Sequence, residues 1–248
     1  MYKVLVPVRS TSYVALGDSM SINLYPQIDI RERLKRVEPT AGAAALLFRN
    51  VDSLWPEFSG KDLRTRFPEL HLQNHASDGA TINAVTDEQL PEVTDPAGVS
   101  LATLTAGGND LLGALALASE GADALRREVA DIQHRFSRLV TEIRTALPNA
   151  LLIIATIYDP TDGTGLLWRD REPLPIELLT QINEHIRAVT RATTHAVLAD
   201  VNLHFLGHGI HVAEAESWYW RPSPIEPSAR GASEIRRVFW NAFSAARR

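Results

Sequence analysis

Four short clusters in the chain combine glycine with side chains that do chemistry: Gly17-Asp18-Ser19, "NHASDGAT" (Asn74 to Thr81), "AGGND" (Ala106 to Asp110) and "DVNLHFLGHGIH" (Asp200 to His211). The first holds Ser19, a candidate nucleophile, which is weak unless a neighbouring base takes its proton. Histidine is the side chain most often used for that step. His204, His208 and His211 all fall in the last cluster, where Gly207 and Gly209 would let a loop carry His208 inward. His75, in the second cluster, is a weaker candidate for the base. The spacing of Asp200 with these histidines also admits a metal site, but no ligand motif of the H-E-x-x-H kind is present, and histidines bonded to backbone or facing water are the plainer alternative. No cofactor is expected.

The elements that would position these clusters can be read from hydrophobic periodicity. Apolar runs at Tyr13 to Leu16, Leu70 to Asn74, Leu101 to Thr105, Leu151 to Ile157 and Ala196 to Val201 read as buried strands. Helical patterns fall between them at Leu54 to Arg66, Asp110 to Leu147 with a break near Gly121, and Ile176 to Thr193, and a last helix runs from about Ser228 to Arg247. Alternating strands and helices predict an α/β fold: a three-layer α/β/α sandwich around a mainly parallel five-stranded sheet. Ligands in such sheets bind beyond the carboxyl ends of the strands, and that is where all four clusters fall. The long segment after the first strand, Arg31 to Asn50, reads either as a lid over the site or as a surface excursion.

Bulk properties narrow the function classes. A chain of 248 residues with 45% hydrophobic and 22% charged residues is expected to form one domain, residues 1–248. Its formal net charge of -5 supplies no basic field for phosphate backbones, so nucleic acid is excluded as an expected partner. The absence of cysteine removes disulfides, thiol nucleophiles and thiolate metal sites. The opening "MYKVLVPVRS" lacks the length and cleavage site of a signal peptide, and no run reaches the ~18 apolar residues of a membrane span. A cytoplasmic protein is the expectation, and nothing in the sequence speaks to its oligomeric state.

The clusters, taken in order, resemble the signature blocks of the SGNH hydrolases, also called the GDSL esterase/lipase family, over nearly the whole chain from Tyr13. "GDSMS" is similar to the family's nucleophile block and puts Ser19 in the place of its serine. "SDGAT" is similar to the second block, with Gly79 as the backbone oxyanion donor, and "GGND" to the third, with Asn109 as the side-chain donor. The resemblance implies hydrolysis of a small-molecule ester through an acyl-serine intermediate. The residue types suit that chemistry, since N–H groups from Ser19 and Gly79 and the Asn109 carboxamide could share the charge of a tetrahedral intermediate. A turn glycine and a helix cap are the commoner uses of Gly79 and Asn109 taken singly.

The fourth block departs from the family. Where the family has Asp-x-x-His before the last helix, this chain reads "SPIEPSARGASEI", with Ser223 in the aspartate position and Glu226 in the histidine position. The two changes are mutually consistent, because a carboxylate base has no imidazole tautomer to orient. A free glutamate, with a pKa of about 4.3, is a poor acceptor for a serine proton unless burial raises it. The neighbouring Trp218, Tyr219, Trp220, Pro222 and Ile225 could supply the apolar surroundings. Glu226 could instead form an ordinary ion pair with Arg230, leaving the base to His208 or the protein as a non-hydrolytic binder of an ester or glycan.

Overall fold

The computed structural model describes residues 12–116, 121–167 and 173–247. The opening decapeptide lies outside them. In chain order the elements are β1 (Ser12–Gly17), α1 (Leu24–Leu34), α2 (Ala43–Phe48), α3 (Leu63–Arg66), β2 (His71–Asn74), α4 (Ile82–Ala84), β3 (Val99–Thr105), α5 (Gly108–Ala116) and α6 (Ala122–Ala146). They continue with β4 (Leu151–Ala155), α7 (Ile176–Ala192), β5 (Ala196–Ala199), α8 (Val201–Phe205), β6 (Tyr219–Trp220), β7 (Ser223–Pro227) and α9 (Ala229–Ala246). Strands β1 to β5 form one parallel sheet in the order β2-β1-β3-β4-β5.

Both faces of this sheet are covered, so its central strands are apolar on every residue rather than on alternate ones. The two-residue period of a strand sends Val14, Leu16, Ile154 and Leu152 to one face, under Phe136 and Leu139 of α6 and Ile182 of α7. Tyr13, Ala15, Ile153 and Leu151 go to the other, under α2 and the Ile235, Phe239 and Phe243 stripe of α9. The fold class is therefore the three-layer α/β/α sandwich expected from the sequence.

Two local expectations are corrected, and one element has no signal in the sequence. The helical pattern from Leu54 to Arg66 resolves into a 3₁₀ turn at Pro56–Phe58 and the single turn of α3, because Pro56 and left-handed Gly60 (φ 72°) interrupt it. The second half of segment 31–50 is neither lid nor excursion: Ala43, Ala44, Leu46 and Leu47 of α2 are fully buried, and the helix packs on α9 and β2. Finally, the stretch before α9 is an antiparallel hairpin, with Tyr219 opposite Pro227 and Trp220 opposite Ser223. Neither strand shows an alternating pattern long enough to announce it, and that hairpin carries Glu226.

Candidate active site

In the order β2-β1-β3, the chain reverses its direction of winding between β1 and β3, and loops leaving those two strands diverge to open a crevice. Gly17 closes β1 against Thr105 of β3 so tightly that an added Cβ would lie 2.0 Å from the Thr105 carbonyl oxygen, and its φ of 130° favours glycine independently. The Asp18 N–H donates to the Thr105 carbonyl at 3.1 Å. Asp18 then accepts from the Met20 N–H on Oδ1 at 3.1 Å. Ser19 is thus fixed in a turn, 8% exposed. Helix α1 begins only at Leu24, too far along for its N-terminal dipole to act on Ser19, since that effect fades within one turn.

The second cluster is tied to the first by backbone. The N–H groups of His75 and Ser77 donate to the carbonyls of Ala15 (2.9 Å) and Gly17 (3.0 Å), and Gly79 turns the chain at φ 70°. Gln89, a residue the sequence did not single out, clamps both: it accepts from Gly17 N–H at 2.7 Å and donates to the Gly17 carbonyl at 2.9 Å and the Ser77 hydroxyl at 3.1 Å. Asn109 lies in the first turn of α5 and does not cap it; its Nδ2 donates to the Ala80 carbonyl at 3.0 Å. A carboxamide carries two N–H bonds, so this contact orients the group and leaves one free. Asp110 completes the link, accepting from Ile82 N–H at 2.9 Å and from Arg135 Nη1 at 2.6 Å.

Glu226 reaches Ser19 from the β6–β7 hairpin. The Tyr158 hydroxyl holds that hairpin by donating to the Ile225 carbonyl at 2.7 Å. Glu226 is 6% exposed, and its Oε2 is buried without a hydrogen-bond partner. Burial raises its pKa to about 6, a hydrogen bond from Ser19 works against that rise, and the charge of Asp78 adds to it. Asp18 is pushed to about 7, chiefly by burial, with Glu226 contributing. The apolar cover comes from Met20, Tyr158 and Ile225, which line the same cavity. It does not come from the expected aromatic run: Trp218 stacks under His208, Tyr219 packs on Tyr158 and Phe205, and Trp220 lies on Tyr25.

Ser19, Asn109 and Glu226 line one cleft of about 100 Å³, walled otherwise by apolar side chains such as Leu111, Leu115, Leu167 and Leu179. Gly79 stays outside that lining and is connected to it through Ala80 and Asn109. The structure does not bring His208 to Ser19: its ring stacks on Trp218 at 3.7 Å and Nδ1 contacts the Glu216 carbonyl at 3.0 Å. His204 bonds Glu234 at 2.9 Å, His211 bonds the Leu166 carbonyl at 2.6 Å, and Asp200 is engaged by Arg187, so this cluster has no common focus. His75 has a buried, unpartnered Nε2, and burial lowers its pKa. Arg230 donates to the Ala215 carbonyl at 2.7 Å and makes no ion pair with Glu226.

A serine and a buried carboxyl therefore stand at the switch point of a doubly wound α/β sandwich. Residues 15–233 match the model of the GDSL-like lipase/acylhydrolase family, and the chain belongs to that family of ester hydrolases. No curated protein matches it in sequence. Among solved structures it is similar to a putative GDSL-like lipase from Parabacteroides merdae (13% identity, 95% of this chain and 96% of that one, TM-score 0.63). It is also similar to the extracellular lipase of Streptomyces rimosus (22%, 94% and 99%, 0.59) and to phospholipase A1 of Streptomyces albidoflavus (19%, 94% and 99%, 0.55). These likenesses concern the fold. Among the described residues no helix is long and apolar enough to cross a membrane.

Proposed function

We propose that this protein is a serine esterase in which Glu226, in place of a histidine, is the general base. The observation that carries the reading is the pairing of the Ser19 hydroxyl with a buried carboxyl, beside Asn109, at the wall of an apolar cleft. The acyl chain of the substrate would occupy that cleft, in keeping with the likeness to lipases. Ser19 Oγ forms a bond to the acyl carbon while its proton passes to Glu226, and the charge on the former carbonyl oxygen is held by the Asn109 carboxamide and the Ser19 and Gly79 N–H groups. Collapse breaks the bond to the alcohol oxygen, which takes the proton from Glu226. Water then repeats the sequence, giving its proton to Glu226 and releasing the acid as Ser19 regains a proton.

The base must be ionised to act. With its pKa at about 6, Glu226 is protonated below that value and charged above it, so kcat/KM should rise with pH through about 6 and level off above. A pH profile against a p-nitrophenyl ester, whose reactivity does not itself titrate there, measures this limb. A limb near 4.5 would remove burial from the account. Asn109→Ala should lower kcat by about 10² to 10³, the cost of one oxyanion donor, with KM little changed.

The direct test is turnover of p-nitrophenyl butyrate together with labelling by a serine-directed phosphonate, mapped by mass spectrometry. Labelling at Ser19 with turnover is expected. An unlabelled Ser19 and no turnover would favour a protein that binds an ester without hydrolysing it.

A further inference from the structure

The acyl carbon held at Ser19 carries an acyl chain and an alcohol group that must extend in different directions, and only the first is accounted for by the apolar cleft. Around the same Ser19 and Glu226 pair stand residues that do not line that cleft. The Tyr25 hydroxyl donates to Asp78 Oδ2 at 2.9 Å, and Asp78 directly precedes Gly79. Asp78 and Tyr25 both lie within electrostatic reach of Glu226, whose Oε2 is buried without a donor. The Tyr25 ring meets that of Trp220 at 5.5 Å between centroids, tilted by 37°. The Trp220 indole N–H donates to Glu32 Oε2 at 3.3 Å, which fixes a carboxylate at the ring edge. Glu32 and Trp220 also line an open hollow of about 590 Å³, whose lining does not include Tyr25 or Asp78.

The charges in this region do not balance. Arg33 is paired with Asp29 at 3.4 Å and Arg221 with Glu214 at 3.5 Å. Among the described residues, neither Asp78 nor Glu32 forms an ion pair. Two exposed carboxylates flanking an aromatic pair are the elements that attract a weakly hydrated organic cation: ring faces stabilise it through their quadrupole and the carboxylates through charge. A neutral sugar would use the rings but not the two uncompensated charges, and an anionic alcohol such as a glycerophosphate would be repelled by them.

We propose that the alcohol half of the substrate bears an ammonium group, held by Tyr25 and Trp220 between Asp78 and Glu32. This deepens the esterase reading and rests on it. The substrate class is then a carboxylic ester of a small amino alcohol, of which a choline ester is the simplest probe.

The experiment compares kcat/KM for butyrylcholine with that for 3,3-dimethylbutyl butyrate, the uncharged ester of nearly the same shape. The charged ester should be preferred about tenfold at low salt, with the ratio falling as salt screens the carboxylates. Glu32→Gln should bring the ratio toward one by slowing the charged ester more than the neutral one, and Trp220→Ala should slow both while also lowering the ratio. Equal rates on both esters would overturn the proposal while leaving the esterase intact. If neither ester is hydrolysed and p-nitrophenyl butyrate is not turned over either, the esterase reading fails, and titration with tetramethylammonium decides the subsite separately. Saturable quenching of tryptophan fluorescence that disappears in Trp220→Phe supports it, and no quenching in the parent protein overturns it. Hydrolysis of phosphatidylcholine micelles in preference to butyrylcholine would also overturn it, since the phosphate would then be tolerated beside Asp78.

Discussion

Glu226→Gln should lower kcat/KM for p-nitrophenyl butyrate by about 10⁴-fold with the fold intact, and Ser19→Ala by at least as much. Glutamine keeps the shape of the side chain and can still contact the Ser19 hydroxyl, but it cannot accept a proton at any accessible pH. The loss therefore measures proton transfer and not packing. If the two residues act as one unit, as proposed, the double variant should be no slower than Ser19→Ala alone. Glu226→His asks a further question, since the partner position holds Ser223 rather than an aspartate. Partial activity in that variant would show that the position suits a base and that the carboxylate is a substitution of chemistry within it. Retained activity in Glu226→Gln would remove Glu226 from the mechanism altogether.

Arg135→Met should destabilise the protein by about 3 to 5 kcal/mol. The Asp110 side chain is 1% exposed, and Arg135 is its ionic partner at 2.6 Å. Its other oxygen holds the Ile82 N–H that ends the Gly79 loop. Removing the guanidinium leaves a carboxylate in the interior with one neutral donor, and the cost is that of an uncompensated charge more than of a lost bond. For a chain of this size the melting temperature should fall by roughly 10 °C or more. Adding Asp110→Asn to the same chain should recover part of the loss, because the charge that needed compensation is gone. A melting temperature within a few degrees of the parent protein would show that water reaches Asp110. Arg135 also contacts Glu128 and Asp131, but those partners are more exposed and contribute less.

Burial of two like charges in one site has a further expected signature. The folded pKa values of Asp18, about 7, and Glu226, about 6, both lie above those of an unfolded chain, so the folded protein holds more protons between about pH 4 and 7. Stability from these groups is therefore greatest at the acidic end of that window and falls as pH rises through it. Activity moves the opposite way, since the base works only when ionised. The charge that Glu226 would need as the proposed base is one that the fold disfavours.

Local patterns in the chain encode one part of the architecture. Runs such as "LLIIA" are apolar on successive residues because a strand covered on both faces leaves neither side wet, and the glycine-rich clusters after β1, β2 and β3 follow from backbone conformations that side chains hinder. Those signals put Ser19, Gly79 and Asn109 just beyond the carboxyl ends of parallel strands, at one end of the sheet. Tertiary structure alone decided the rest. Histidine is the side chain most often used as a base, yet His208 is carried onto Trp218 while a glutamate on an unannounced hairpin is turned inward to Ser19. Gln89 likewise has no local signal, because its two bonds to Gly17 exist only once β1 is packed. A side chain's type is written in the chain, but its basicity depends on what surrounds it, and those surroundings are assembled from segments far apart in sequence.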